Sequence, residues 1–200
     1  MKKIPTLFVR DDDNRKHVTR EINPTCAWVA AGEGMATVKW DGTCVMLDDV
    51  GAWWARREVK PGKPTPAGFL EVDHDEVTDK RVGWEPIGQS SFAKFHAEAL
   101  AMTGPVLIGV GPMTPGTYEL VGPKVHGNPG GFLSHLLIRH GWAAFSARED
   151  ARKAPRDYDG LRGWLHTRLH EGLVWHHPDG RMAKIKARDF PRLADQEGQS

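Results

Sequence analysis

Cysteine is nearly missing from this 200-residue chain, with Cys26 and Cys44 the two present. Two are too few for a disulfide framework, and no C-x-x-C pair exists to hold structural zinc, so both are expected to be small core residues. No apolar run approaches the roughly 20 residues that a membrane-spanning helix needs. Met1–Arg10 also lacks the apolar stretch of a signal peptide. The expected setting is cytoplasmic, with no membrane partner. A charge excess is missing too, since 27 Lys and Arg stand against 26 Asp and Glu. That excludes a globally basic nucleic-acid coat, so any polyanion must be held locally. The patterns G-x-x-x-x-G-K-[ST] and G-x-S-x-G are both absent, which removes P-loop chemistry and leaves a hydrolase nucleophile elbow unsupported.

What is present is an ordinary globular composition, 40% hydrophobic and 26% charged, on a chain long enough for a real core. One domain over residues 1–190 with a polar tail at 191–200 is expected. Twenty-two Gly and 14 Pro divide the chain into short elements and exclude long helices. Strands are expected at 26–30, 36–40, 43–47 and 52–59, the last three as a small antiparallel meander turning at Asp41-Gly42 and Asp48–Gly51. Residues 61–88 read as loop with one short strand near Phe69–Val72. Ser90 and Ser91 cap an expected helix to Met102, stopped by Gly104-Pro105. Strands at 106–110 and 117–121, a helix at 131–140 and another at 157–170 follow. Glu171–His176 and Arg181–Ala187 form a hairpin across the turn His177-Pro178-Asp179-Gly180.

Local charge is uneven. Residues 151–190 carry nine Lys and Arg against five Asp and Glu, which makes this segment the first place to seek a phosphate site. Within it, Met182, Lys184 and Lys186 point to one side of a strand while Ala183, Ile185 and Ala187 point to the other. By itself that fits a solvated edge hairpin. Thr37, Lys39 and Asp41 likewise share a side opposite Ala36, Val38 and Trp40. The ordered set is more specific: Lys39-Trp40-Asp41-Gly42, Arg56-Arg57, Tyr118-Glu119, Glu171-Gly172 and Lys184-Ile185-Lys186.

In that order these elements resemble the covalent nucleotidyltransferase superfamily of ATP-dependent ligases and capping enzymes. Lys39–Gly42 resembles the K-x-D-G of the nucleotide-accepting lysine, Ala55-Arg56-Arg57 the following arginine motif of RNA ligases, and Thr117–Leu120 the third motif. Glu171–Val174 resembles the fourth motif and Lys184-x-Lys186 the fifth. The resemblance spans the chain. Ile4–Phe8 and Gly122–Pro129 are most similar to the compact 5′-to-3′ RNA ligase group that includes a vertebrate RNA ligase.

The resemblance implies an α+β nucleotidyltransferase (adenylation) domain whose antiparallel sheets flank an ATP cleft, with helices outside and no OB domain, since the chain ends soon after Lys186. It implies ATP and Mg²⁺ (or Mn²⁺), and RNA with 5′-phosphate and 3′-hydroxyl ends as substrate; a monomer is expected because nothing in the sequence requires more. Lys39 would attack the α-phosphorus of ATP to form lysyl-AMP, pass AMP to the RNA 5′ end, and let a 3′-hydroxyl displace it. A lysine of pKa about 10.4 is mostly protonated at neutral pH, so neighbouring positive charge and desolvation must favour its neutral form. Lys184 and Lys186 would offset charge on the α-phosphate, and Glu171, with Asp41 and Glu119, would hold the metal or its waters. Thr37, Val38, Asp41, Gly42, Arg56, Arg57, Glu119, Leu173 and Val174 would bind the nucleotide, Leu173 or Val174 against the adenine ring, with Trp142 or Phe145 on its other face. The alternatives are a nucleic-acid-end binding module or an adenylyltransferase with a non-RNA acceptor. Zinc on His166 and His170 is disfavoured because no H-E-x-x-H accompanies their spacing.

Overall fold

Short alternating segments bounded by Gly, Pro and Asp turns give a chain made mostly of strands. The computed structural model describes residues 4–102, 113–141 and 145–191. In chain order the elements are β1 (Phe8–Arg10), β2 (Val18–Ile22), α1 (Ala27–Ala30), β3 (Met35–Lys39), β4 (Thr43–Leu47) and β5 (Trp53–Val59). Then come β6 (Leu70–Asp75), β7 (Lys80–Pro86), α2 (Ala93–Met102), β8 (Gly116–Val121) and β9 (Leu136–Arg139). The chain finishes with α3 (Phe145–Arg152), α4 (Tyr158–His166), β10 (Gly172–His176) and β11 (Met182–Lys186). This is a mixed α+β structure of mostly antiparallel sheets with few helices. Among the described residues, no helix is long and apolar enough to cross a membrane.

The described residues group into two compact units, one drawn from 41–141 and the other from 4–40 with 145–191. The 41–141 unit is a six-stranded antiparallel sheet in the order β6-β7-β5-β4-β8-β9. One face buries Val45, Tyr118, Leu120 and Leu137 together with Val125 and, from α2, Ala99. The other unit holds the three-stranded antiparallel sheet β11-β10-β3 and the two-stranded hairpin β1-β2. Just before β1, Thr6 bridges to Lys184 in parallel, and the Leu7 N–H donates to the Lys184 carbonyl at 2.8 Å. Leu7, Phe8, Val29, Leu161, Leu173, Trp175 and Ile185 fill the core of this unit. Asp157 caps α4 by accepting from the Gly160 N–H, and the Tyr158, Leu161 and Leu165 side chains it then presents are buried. Leu169 instead stands exposed beyond the helix end.

Several expectations change. Residues 26–30 are helical, because Asn23 accepts from the Thr25 N–H and Pro24 opens the turn that leads into α1. β3 does not turn back on β4: it pairs with β10, and Asp41-Gly42 carries the chain out of one unit into the other. Residues 61–88 hold the full hairpin β6-β7, obscured in sequence because β6 is an exposed edge strand rich in charge. The helix expected at 131–140 is loop followed by β9, which extends the sheet beside β8. Leu136, Leu137 and Ile138 satisfy either period, and pairing with β8 decided it. The expected strand at 106–110, the stop at Gly104-Pro105 and the tail from 192 lie outside the described residues.

Candidate functional site

Register places the lysines. Gly172 lies opposite Lys39 on one side and Lys186 on the other, and Val174 lies opposite Thr37 and Lys184. One face of the β11-β10-β3 sheet therefore carries Lys39, Lys184 and Lys186, while Val38, Leu173 and Ile185 go to the core. Gly172 has a steric reason to be glycine, since a Cβ there would stand 2.0 Å from the Ile185 carbonyl oxygen. With no side chain at its centre, the row leaves room between Lys39 and Lys186.

Glu171, at the entry to β10, fills the head of that row. Its Oε2 accepts from Lys39 Nζ at 2.5 Å, and its Oε1 meets Lys186 Nζ at 2.5 Å and the Arg188 guanidinium at 3.2 Å. The Glu171 side chain is 8% exposed. Burial on its own would raise its pKa, but the charge of Lys39 and the hydrogen bonds from Lys186 and Lys39 outweigh it, so the carboxyl is held below its ordinary value. Lys184 Nζ has no ion pair within 4 Å among the described residues. Burial, then the like charges of Lys186 and Lys39, push its pKa down to about 8. The other carboxylate beside these cations, Asp189, pairs with Arg10 at 2.8 Å. Five cations around two carboxylates leave a positive surplus that a phosphate can answer.

The 41–141 unit holds a second carboxylate centre on the sheet face opposite its core. Glu119 Oε1 accepts from the Gly42 N–H at 3.1 Å, and its Oε2 lies 2.8 Å from His140 Nε2. His140 Nδ1 is 2.9 Å from Thr117 Oγ1, which sets the ring. A Cβ on Gly42 would stand 2.3 Å from the Leu120 carbonyl oxygen, so glycine lets the chain lie directly on β8. Asp41 Oδ1 is 3.3 Å from His126 Nδ1, on a loop whose His126, Gly127 and Asn128 all have positive φ. His126 lies in the Gly122–Pro129 stretch that carries the resemblance but has no role assigned from sequence, and His140 has none either. His140 was hidden by the helix expected there, although its place after β8 and β9 supplies the ring that Glu119 uses.

Sequence reading grouped Lys39, Lys184, Lys186 and Glu171, and the structure brings those four together. Thr37 shares the lysine face but is buried, its hydroxyl donating to the Val174 carbonyl at 3.2 Å. Of the two residues offered for an adenine ring, Leu173 is fully buried in the core and Val174 is on the lysine face. Arg56 and Arg57 also separate. Pairing of Ala55 with Val45, and of Val45 with Tyr118, puts Arg57 on the Tyr118 face and Arg56 on the Glu119 face. Arg57 lies 3.8 Å from Glu85. Trp142 and the Phe145 side chain lie outside the described residues. Cys26 is buried as expected, whereas Cys44 is half-buried directly opposite Glu119. His166 is exposed, and His170 packs edge-on to Trp40. Among the described residues, no three His, Cys, Asp or Glu side chains converge as a ready metal cage. Mg²⁺ does not require one, because it keeps several waters and takes one or two carboxylates plus phosphate oxygens, a donor set that Glu171 fits.

No family model matches the chain. It is similar to RNA ligase 1 of Danio rerio, 28% identical across 66% of this chain and 45% of that protein. The chain thus spans a little under half the length of the curated relative it matches.

Proposed function

We propose that this protein is an ATP-dependent RNA ligase that joins 5′-phosphate and 3′-hydroxyl ends through an AMP adduct on Lys39. The observation that carries this reading is the row Lys39, Gly172, Lys186 with Glu171 at its head. Similarity to a protein named RNA ligase 1 supports the choice of RNA. In the first step the neutral Lys39 amine, its proton given up to solvent, forms a bond from Nζ to the α-phosphorus as the bond to pyrophosphate breaks, and the second proton lost from Nζ also passes to solvent. Lys186 and Lys184, already on that face, offset charge gathering on the phosphate oxygens. Glu171 is a poor resting place for the lysine proton, because its own pKa is lowered. Its work is to hold Lys39 in place, and Lys39 must be released from that ion pair to attack.

Glu171 is the residue of this face that would hold Mg²⁺, which when bound would supply charge neutralisation for phosphate oxygens. For the other unit the reading assigns nucleotide contacts to Asp41, Gly42, Glu119 and Arg56, with Arg57 engaged by Glu85. The test is intact-protein mass after incubation with ATP and Mg²⁺, beside Lys39→Ala, followed by a chase with 5′-phosphorylated RNA. The expected result is one AMP on the wild type, none on the variant, and loss of the adduct on addition of RNA. An adduct that forms and is not discharged by RNA would point to a different acceptor. If no adduct forms, or it forms equally on the variant, the ligase reading fails and a nucleic-acid-binding module takes its place.

A further inference from the structure

A cavity of about 990 Å³ in the unit of residues 4–40 and 145–191 has a wall that shares Lys184 and Lys186 with the catalytic reading and extends to cations which that reading leaves unused. Lys184 and Lys186 form one part of it, Arg188 follows them, and Arg10, Arg15 and Lys16 come from the β1-β2 hairpin. Its carboxylate is Asp189, already paired with Arg10 at 2.8 Å. The three aspartates of the same hairpin turn, Asp11–Asp13, are not part of this wall. Glu171 answers Lys186 and Arg188 from outside it. Arg15 has only the exposed Asp12 at 3.5 Å, a weak pair. Among the described residues, Lys16 Nζ and Lys184 Nζ make no ion pair within 4 Å.

We propose that this cavity is a groove for the sugar-phosphate backbone of an RNA strand, gripped through its phosphates and not through its bases. The inference rests on the RNA-ligase reading for the choice of RNA and deepens it by naming how the strand is held. Two features favour a strand over the phosphate tail of one nucleotide. The cations come from two segments far apart in the chain, residues 10–16 and 184–188, and the volume is at the top of the roughly 300–1,000 Å³ range of small-molecule pockets. Arg15 and Lys16, exposed on the hairpin turn, form a rim that would meet phosphates farther along the strand. Indifference to base identity follows from the rings. Phe8 and Phe190 line the cavity but are 1% and 2% exposed, so the rings a base could meet among the described residues of the wall are the imidazoles of His17 and His166, and stacking on a ring is tolerant of sequence. Because Lys184 and Lys186 belong both to this wall and to the Lys39 face, the strand's phosphorylated end would lie at the lysines. A bound phosphate would also favour protonation of Lys184, whose burial now works against it.

The experiment measures affinity of the full chain for labelled 5′-phosphorylated oligoadenylate and oligouridylate over a range of salt, for wild type and for the Arg15→Ala/Lys16→Ala pair. Both residues are exposed, and an unchanged thermal midpoint checks that the variant is folded. The expected result is similar wild-type affinity for the two sequences. The variant should lose about tenfold in affinity, with a salt slope shallower by about two. Three outcomes overturn the proposal: unchanged affinity and slope, a strong preference for one base, or ATP affinity falling by the same factor as RNA affinity. The AMP adduct on Lys39 is read separately. If no adduct forms but the variant loses RNA, the ligase reading fails and the groove stands. If the adduct forms and the variant keeps its RNA affinity, the reverse holds.

Discussion

Glu171 and Glu119 are the same residue type in two different surroundings. Glu171 is ringed by Lys39, Lys186 and Arg188, whereas Glu119 is held by a backbone N–H and an imidazole. In each centre a glycine presses on a backbone carbonyl, Gly172 on Ile185 and Gly42 on Leu120. Close approach of backbone is therefore common to both, and the chemistry differs through the partners. Glu171 is a counterweight to positive charge, and Glu119 is a hydrogen-bond acceptor that orders a turn and a ring.

The largest effect should separate those roles. Glu171→Ala leaves Lys39, Lys186 and Lys184 close together with their shared carboxylate gone. Breaking such a pair should cost about 3–5 kcal/mol of stability. Glu119→Ala removes acceptors from Gly42 and His140 and should cost about 1–3 kcal/mol. Urea unfolding of both variants checks the order, and equal losses would break the comparison.

Next come the glycines. Gly42→Ala and Gly172→Ala each force a Cβ onto a carbonyl oxygen that sheet pairing holds in place, and each should cost about 1–3 kcal/mol. In addition, Gly172→Ala should slow formation of the Lys39 adduct, because it splays the strands that carry the lysines. Thermal unfolding together with the mass-shift assay separates the two, and an unimpaired adduct rate in Gly172→Ala would show that the spacing of the row is not critical.

The smallest effect sharpens the comparison through pH. Lys184 has a folded pKa of about 8 against an ordinary 10.5. Between those values the unfolded chain holds a proton that the folded chain has shed, so this group makes stability rise with pH across that window. Lys184→Met lacks the term. It should be more stable than wild type near pH 7, and the gap should shrink from pH 8 to 10.5. A gap that does not vary with pH would mean that Lys184 is better solvated than its burial indicates. Glu171 acts at the other end. Its lowered pKa contributes stability above about pH 4.5, which is lost as the pH falls through the folded value.

The readable parts of the fold were those where local chemistry and tertiary pairing agree. The β10-β11 hairpin is an example, with a Pro-Asp-Gly turn and strict alternation across Ala183, Lys184, Ile185 and Lys186. The excess of cations in 151–190 was legible, but which of those cations are already engaged was not. Arg156 donates to the carbonyls of Val29, Glu33 and Gly34, and Arg168 pairs with Asp150. The other half of the cationic wall comes from Arg10, Arg15 and Lys16, more than a hundred residues earlier in the chain, a juxtaposition that no local pattern records.

By itself the sequence determined the alternation that puts Lys184 and Lys186 on one face and the Pro-Asp-Gly turn that folds β10 back on β11. Those follow from a side-chain period of two and from turn residues, both local properties. Tertiary structure decided the partners. It paired β3 with β10 in place of β4, put Arg56 rather than Arg57 on the face of Glu119, and brought His140 to that carboxylate. Register is a contest among distant strands for the same backbone hydrogen bonds, and a slip of one residue turns every side chain to the other face.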